Sequence, residues 1–199
     1  MSGCSIAARY SLPMPLRHPQ SRFLPPRWLL SDQRNDTVLE RALERLPEGG
    51  GFIYRHYHLP PQQRLARFRQ LAAIARRRGH WVVLADSALT AREWGADGIY
   101  GAPRSLYPTR DLLTLATAHD MAEVAQANRM HADAVLISPV FATQSHPGAD
   151  VLGPMRFRRL AAHAAMPVIA LGGMTPASAR RLQWPRWAAI DGLSGDTDS

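Results

Sequence analysis

The sequence contains no lysine, and this absence excludes more chemistry than any other feature of its composition. All 24 residues counted as Lys+Arg are arginine. Without a lysine amine the chain cannot form a Schiff base, which excludes imine-forming aldolases and pyridoxal-phosphate catalysis. A nucleotide-binding P-loop is excluded as well, because that motif requires a lysine.

Cysteine and long apolar runs are also scarce. Cys4 is the only cysteine, so an internal disulfide and a multi-cysteine zinc or iron–sulfur site are excluded. Arg, Pro, Asp or Gly interrupts every apolar run before the roughly 18 residues that a membrane helix needs. The basic N-terminal region lacks the continuous apolar stretch of a secretory signal, and an organellar transit peptide is a weaker alternative to a loosely ordered segment. We therefore expect a cytoplasmic protein with no membrane partner.

The chain is strongly basic, with a formal net charge of +8 and a pI near 10.9. The arginines are spread along the chain, with a local concentration between Arg64 and Arg78. An arginine-rich solvated surface accounts for this pattern, so we expect no nucleic-acid partner. Nucleic-acid binding through the Arg64–Arg78 segment is a weaker alternative, which would make the affinity depend steeply on salt.

Short apolar segments alternate with helical patterns, which predicts repeated βα units and a parallel sheet in one α/β domain. The predicted strands are Arg27–Ser31, Gly51–Tyr54, Trp81–Ala85, Gly98–Gly101, Leu112–Ala116, Ala134–Ser138, Pro167–Leu171 and Arg186–Asp191. Eight strands at a spacing of roughly 20–25 residues predict a small (β/α)8 TIM barrel. We assign the barrel to residues 27–199 and expect residues 1–26 to form a basic, loosely ordered segment.

The connections between the strands carry their own signals. Pro61–Arg78 has one apolar face and predicts a helix. Asp120 with Glu123 three residues later predicts a helix N-cap with its reciprocal partner, and Thr175-Pro176 predicts a cap followed by proline. The Pro-rich Ala102–Arg110 segment has little helical pattern. Because eight residues follow Asp191, we expect the eighth helix to be short or absent, with that end covered by the N-terminal segment or by another subunit of a homo-oligomer.

In barrels of this kind the chemistry lies at the carboxyl ends of the strands, with phosphate bound after strands seven and eight. Gly172 and Gly173 follow the seventh strand and open a helix. Their N–H groups could approach an anion closely, although a tight turn with positive φ would also account for both glycines. Gly192, after strand eight, could complete such a phosphate site.

The loops after strands five and six carry further polar candidates. Thr117 and His119 end strand five, and the histidine suits a proton shuttle near neutral pH or a purely structural role. The loop from Ser138 to Gly148 offers hydroxyls and an imidazole, with Thr143, Ser145 and His146 as candidate ligands of a phosphate or carboxylate. The same loop could be a mere connection.

Charged residues end strands two and three. Arg55 suits a phosphate or carboxylate through its planar guanidinium. Asp86 could bind a metal ion or pair with Arg55, and one carboxylate is thin support for Mg²⁺.

Motifs in the second half of the chain occur in the order found in one enzyme superfamily. Thr117-Ala118-His119 is similar to that family's Ser-x-His at strand five, and His131-Ala132-Asp133 resembles Gly-Ala-Asp before strand six. Ser138–His146 resembles Gly-Pro-[Val/Ile]-Phe-x-Thr-x-Thr-Lys, and Pro167–Pro176 resembles Pro-Val-x-Ala-Ile-Gly-Gly-Ile-x-Pro.

In the first half, Leu30-Ser31-Asp32 resembles the same family's opening strand motif, and Gly95–Tyr100 resembles Gly-Ala-Asp-Gly-Val-His. From Trp28 to about Leu193 the chain thus resembles the thiamine phosphate synthase and thiazole tautomerase superfamily. The resemblance implies a transferase that joins a pyrimidine methyl pyrophosphate to a thiazole phosphate. It also implies Mg²⁺ as a cofactor that stabilises the departing pyrophosphate.

The departures from the family pattern fall on the pyrophosphate side. The family's Gln-x-Arg-x-Lys is Ile53, Arg55 and Tyr57 here, so the arginine remains and the lysine does not. Where the family has Asn-Asp, this chain has Ala85-Asp86, and where the family has Gly-Gln-x-Asp, it has Gly101–Arg104. His146 stands in place of the lysine that ends the family's strand-six loop. Arg104 and His146 could bind the pyrophosphate directly in place of the missing groups.

Besides the weaker alternative of nucleic-acid binding, three functions remain open. The first is the synthase reaction, in which Asp86 would hold the metal. The second is a tautomerase-type proton transfer on a thiazole phosphate, for which His119 and Gly172-Gly173 would suffice. The third is a catalytically silent barrel that binds a thiazole or thiamine phosphate and is stabilised by it without turnover.

Overall fold

The computed structural model describes residues 24–107, 109–143 and 150–193. Eight parallel strands form one closed barrel in chain order, and β1 pairs with β8 to close it. The strands are β1 (Arg27–Leu30), β2 (Gly51–Tyr54), β3 (Trp81–Leu84), β4 (Gly98–Gly101), β5 (Leu113–Ala118), β6 (Ala134–Ile137), β7 (Val168–Ala170) and β8 (Trp187–Ala189). The predicted (β/α)8 architecture is confirmed, and every strand overlaps its predicted segment, although β5 ends two residues later than predicted, at Ala118.

Helices cover the outside of the barrel. They are α1 (Leu39–Arg45), α2 (Pro61–Arg77), α3 (Ala88–Trp94), α4 (Met121–Arg129), α5 (Gly153–Ala162) and α6 (Pro176–Leu182). A short 3₁₀ turn, Pro103–Ser105, replaces the helix between β4 and β5, as the Pro-rich sequence predicts. Up to Leu193, where the description ends, no helix follows β8.

Alternation along the strands sorts apolar side chains into two layers. In β1, Trp28 and Leu30 point into the barrel, while Leu29 packs in the outer layer that the helices cover. The amino end of the barrel is filled by Trp28, whose indole N–H donates to the carbonyl of Pro25 at 2.9 Å. Gly51 on the neighbouring strand makes room for this ring, because a Cβ there would lie 2.1 Å from the indole.

Leu24 is buried with the interior cluster, so the residues just before β1 help to close the amino end. Residues 1–23 and 194–199 lie outside the described residues, and the predicted boundary at residue 26 stays a prediction. Within the described residues, no helix is long and apolar enough to span a membrane. With the amino end filled, the carboxyl ends of the strands are where a ligand can enter.

Two helix N-termini next to the open end were predicted in detail. Thr175 caps α6 and proline stands at the start of the helix, as the Thr-Pro signal predicts; the reciprocal capping box with Ser178 is an additional finding. Asp120 caps α4 by accepting from the backbone N–H of Glu123. The predicted reciprocal bond is wrong, because the Glu123 carboxylate accepts from the backbone N–H of His119 at 2.6 Å, one residue earlier. Glu123 therefore fixes the backbone at a candidate site residue.

Candidate active site

A cavity of about 580 Å³ opens at the carboxyl ends of the strands. Residues in or after β2, β4, β5, β6, β7 and β8 line it. The predicted site residues that line the cavity are Arg55, Thr117, His119, Thr143, Gly172, Gly173 and Gly192. Ser145 and His146 lie outside the described residues, so the structure brings together all predicted members of the site except these two, Asp86 and Arg104.

The turn after β7 approaches the loop after β6 very closely. Gly172 and Gly173 have φ values of +93° and +61°, which non-glycine residues rarely adopt. A Cβ on Gly172 would lie 2.6 Å from Cα of Pro139, and one on Gly173 would lie 2.3 Å from the carbonyl oxygen of Ala142. The tight-turn explanation of these glycines therefore holds.

The same turn also leaves hydrogen-bond donors unused. Within the described residues, the backbone N–H groups of Gly172, Gly173 and Gly192 make no hydrogen bond. Buried or semi-buried N–H groups are normally paired, and successive unpaired ones form a concave site that suits an anion. The turn is thus compatible with the predicted phosphate site, which stays a prediction.

His119 projects into the cavity from the end of β5. Its Nδ1 lies 2.8 Å from the backbone carbonyl oxygen of Ser138, and a carbonyl only accepts, so Nδ1–H is the donor. In the neutral ring this leaves Nε2 as an acceptor, and the described part of the chain offers it no partner. The geometry is that of an oriented imidazole with one nitrogen open to a ligand.

The Arg55 guanidinium is held by two groups that directly follow β1. Its Nε donates to the Ser31 carbonyl at 2.9 Å, and a terminal nitrogen donates to the Asp32 carboxylate at 2.6 Å. Burial raises the pKa of Asp32, but hydrogen bonds from Arg34 and the charges of Arg55 and Arg34 outweigh this, so its pKa lies below the usual value. The guanidinium is held in place while still lining the cavity.

Tyr100 is a cavity residue that the sequence reasoning did not select. It lies on β4 beside Arg55, and burial raises the pKa of its phenol to about 12. The phenol is therefore neutral near pH 7 and lies in contact with the Arg55 guanidinium. The signal was present, because Tyr100 occupies the last position of the strand-four motif, where the resembling family has histidine.

A buried histidine supports Arg55 without reaching the cavity. The Ser31 hydroxyl accepts from the backbone N–H of Arg55 at 2.7 Å and lies 2.9 Å from Nδ1 of His56. Nε2 of His56 in turn lies 2.8 Å from Asp36, which also accepts from Arg67. Since the serine oxygen is already an acceptor, its O–H can donate to His56 and the ring can donate to Asp36. This explains His56 as structural.

Asp86 does not line the cavity. Arg64, on α2, donates to its Oδ2 at 2.5 Å, and the backbone N–H of Ser87 donates to its Oδ1 at 2.7 Å. The expected alternative pairing of Asp86 with Arg55 is wrong, because each has a different partner. Burial raises the pKa of Asp86, but the bonds from Arg64 and Ser87 outweigh burial and hold it below the usual value.

Arg104 also lies away from the cavity. It belongs to the 3₁₀ turn after β4, and its Nε donates to the side-chain oxygen of Gln126 on α4 at 3.3 Å. The side chain is exposed and directed along the outside of the barrel. Its assignment as a pyrophosphate ligand stays a prediction that this arrangement does not favour.

The donor set at Asp86 fits Mg²⁺ poorly. This ion is normally held by one or two carboxylates together with substrate phosphates. Both oxygens of Asp86 already accept from the protein, and a second carboxylate is missing after β4, where Ala102, Pro103 and Arg104 stand. Within the described residues, no group of three His, Cys, Asp or Glu side chains could hold a metal.

Fold and cavity together define a (β/α)8 barrel whose strands carry, at their carboxyl ends, an oriented imidazole and a turn with N–H groups that have no partner among the described residues. The family model described as thiamine monophosphate synthase matches residues 28–190. The chain belongs to this family, as the order of its motifs predicts. The expectation of a transferase-type enzyme is confirmed at the level of the family, and membership supports small-molecule substrates.

Individual relatives agree with this assignment. The thiamine-phosphate synthase of Chloroflexus aurantiacus is 29% identical over 71% of this chain and 68% of its own length. The thiamine-phosphate synthase of Lactococcus lactis is 28% identical over 66% of this chain and 63% of its own length. The structure of a thiamine phosphate pyrophosphorylase from Pyrococcus furiosus superposes with a TM-score of 0.69 at 21% identity, covering 85% of this chain and 88% of that one. This likeness supports the fold.

Proposed function

We propose that this protein is a transferase of the thiamine phosphate synthase type. It binds a thiazole phosphate in the cavity and joins the thiazole nitrogen to the methylene carbon of a pyrimidine methyl pyrophosphate. The carbon–oxygen bond to pyrophosphate breaks, pyrophosphate leaves with the electron pair, and the new carbon–nitrogen bond forms on the resulting pyrimidine cation. The family match over residues 28–190 and two synthase relatives support this reaction.

The observation that carries the proposal is the set of unpaired N–H groups after β7 and β8. Gly172, Gly173 and Gly192 present donors to one cavity, and no group within the described residues accepts from them. A phosphate monoester offers several acceptor oxygens and negative charge, which match such a site. This anchors the thiazole phosphate near His119 and Thr143, which line the same cavity.

Arg55 supplies positive charge on the opposite wall. Its guanidinium is held by Ser31 and Asp32 and lies beside Tyr100. A preorganised charge at the place where negative charge develops lowers the barrier to departure of an anionic group. Arg55 and Tyr100 are thus the described groups best placed to stabilise the leaving pyrophosphate, and Thr117 lines the same cavity.

The test is an assay of purified protein with a thiazole phosphate and the pyrimidine pyrophosphate, with and without Mg²⁺. Formation of thiamine phosphate above about 0.01 per second, which is low for an enzyme, would support the transferase. Replacement of Arg55→Met should lower kcat/KM by about 10- to 100-fold, since hydrogen bonds to charged groups contribute about 1.5–3 kcal/mol. Arg92→Met, which removes an exposed arginine paired with Asp111, is the matched control.

A second function, proton transfer on a thiazole phosphate, is favoured by the orientation of His119, whose Nε2 has no partner among the described residues. A proton transfer on a thiazole phosphate requires an anchored phosphate and an oriented acceptor, and Nε2 of His119 is such an acceptor. The same assay without the pyrimidine substrate decides between the two. Isomerisation of the thiazole without thiamine phosphate formation would favour tautomerase-type chemistry. If thiazole phosphate raises Tm but no turnover occurs in either assay, the protein binds the ligand without catalysing a reaction on it.

A further inference from the structure

Arg64 is held in one orientation by groups at the ends of two strands. Its guanidinium donates to three oxygens, the Asp86 carboxylate at 2.5 Å, the Ala85 carbonyl at 3.0 Å and the Arg55 carbonyl at 3.0 Å. Its side chain is 11% exposed. These partners come from the ends of β2 and β3, so both strands hold the arginine in one orientation.

Aromatic rings enclose the same guanidinium. The central carbon of Arg64 lies 5.3 Å from the ring centre of Trp94, 5.6 Å from that of Tyr57 and 5.9 Å from that of Tyr54. Each distance is within the range of a favourable cation–π contact. Rotation of Arg64 away from Asp86 would lose these contacts together with the three hydrogen bonds.

Both carboxylate oxygens of Asp86 accept hydrogen bonds from the protein. Arg64 and the backbone N–H of Ser87 occupy one oxygen each, and Ser87 is also the N-cap of α3. A divalent cation on this carboxylate would have to lie within a few ångströms of a fixed guanidinium of the same sign. That repulsion is strong because the guanidinium is largely shielded from water.

We propose that Arg64 permanently neutralises Asp86, so that this barrel carries out its phosphate chemistry without a divalent cation on that carboxylate. In the family that this chain resembles, the metal binds the carboxylate at the position of Asp86. In this chain the Arg64 guanidinium occupies that place, held by the ends of two strands and by three aromatic rings. The loss of a second carboxylate at Gly101–Arg104 points the same way. The inference concerns metal binding and holds for either proposed reaction.

The experiment measures binding of Mn²⁺ by electron paramagnetic resonance, with and without inorganic pyrophosphate. Wild type and Asp86→Asn should give superimposable titrations in both conditions. Arg64→Met should gain a Mn²⁺ site at least about tenfold tighter than any in wild type, because the carboxylate is released from its pair. The double variant with Asp86→Asn should lose this site again. Arg92→Met, which loses the same charge at the surface, should gain none.

Each other result contradicts the proposal. Mn²⁺ binding by wild type that Asp86→Asn weakens about tenfold or more would show that the carboxylate is an available ligand. Absence of a new site in folded Arg64→Met would overturn the role given to Arg64. If Arg64→Met does not fold, Arg64→Gln replaces it, and the comparison of wild type with Asp86→Asn stands by itself. Because the readout is metal binding, it is independent of whether the synthase reaction occurs.

Discussion

The two halves of the barrel mouth use their polar groups in opposite ways. On the side formed by β5 to β8, His119 and the glycines after β7 and β8 carry hydrogen-bonding groups with no partner in the described residues. On the side formed by β2 to β4, charged groups are paired with one another, Arg55 with Asp32 and Arg64 with Asp86. One side presents hydrogen-bonding groups that have no partner among the described residues, and the other has its charged groups Arg55 and Arg64 in ion pairs.

This difference separates groups that bind from groups that hold the fold. A donor that faces a cavity and has no protein partner contributes nothing to the fold and is available to water or to a ligand. A carboxylate that already accepts from an arginine and a backbone amide contributes to stability and gives little to a ligand. Arg55 connects the halves, because it is paired yet lines the cavity. Substitutions on the two sides should therefore affect different properties.

The largest effect is expected on the β5–β8 side, from His119→Asn. Removal of the open Nε2 should lower kcat by about 10²- to 10⁴-fold if His119 transfers a proton. Tm should change little, since the histidine makes one side-chain hydrogen bond to a carbonyl and Asn can donate as well. Steady-state kinetics and thermal unfolding measure the two properties on the same preparation.

His163→Asn provides the control for this substitution, because His163 is exposed at the end of α5 and far from the cavity in the fold. It should leave kcat unchanged. A His119→Asn variant with full activity would remove the catalytic role. A variant that loses Tm and activity together would show that His119 is structural, like His56, and the contrast between the two sides would disappear.

A smaller effect, and on stability, is expected on the β2–β4 side from Asp86→Asn. The substitution leaves the Arg64 guanidinium without its counter-charge, which should lower the free energy of unfolding by about 1–3 kcal/mol. For a domain of this size that corresponds to a decrease in Tm of roughly 2–4 °C per kcal/mol. Urea denaturation and calorimetry measure it.

Asp111→Asn is the matched variant, because Asp111 pairs with Arg92 at an exposed site. Exposed ion pairs contribute about 0–1 kcal/mol, so this control should be close to wild type. Equal effects of the two substitutions would contradict the claim that the Arg64–Asp86 pair holds the strand ends together.

The sequence predicted the fold and most of the cavity for different reasons. Strand positions follow from local apolar patterns, which is why Gly51–Tyr54 and Gly98–Gly101 were placed correctly. His119, Gly172 and Gly173 were found because the architecture itself directs strand ends to one side. These predictions needed no knowledge of which side chains touch.

What the sequence did not predict depends on contacts between distant residues. Arg64 lies on α2 and Asp86 follows β3, and their pairing depends on the tilt of α2 and on three aromatic rings. The Glu123 carboxylate accepts from the backbone N–H of His119, whereas the capping box predicts the N–H of Asp120 as the donor. The choice between these neighbouring donors depends on the conformation of the loop. Tyr100 was missed because an apolar strand pattern does not show which side chains line the cavity, and only its position opposite the histidine of the family motif marked it.

The smallest effect is a pH dependence of stability from two buried histidines. Burial lowers the pKa of His56 in the β2–β4 network, although its bond to Asp36 acts in the opposite direction. Burial also lowers the pKa of His80, whose Nε2 lies 2.9 Å from the Leu43 carbonyl and whose Nδ1 has no partner in the described residues. Both rings are therefore harder to protonate in the folded state than in the unfolded chain.

The sign of the pH effect follows from this difference. Around the unfolded value of about 6.5 the unfolded chain binds more protons than the folded one, so the free energy of unfolding falls as the pH falls from about 7.5 to 5.5. Each histidine contributes at most about 1.4 kcal/mol per pH unit. Urea denaturation across this range should show the decline, and His56→Asn should make it shallower because Asn does not titrate. An unchanged slope in that variant would mean that His56 is protonated as easily in the fold as outside it, and the β2–β4 side would not be the internally paired region that its contacts indicate.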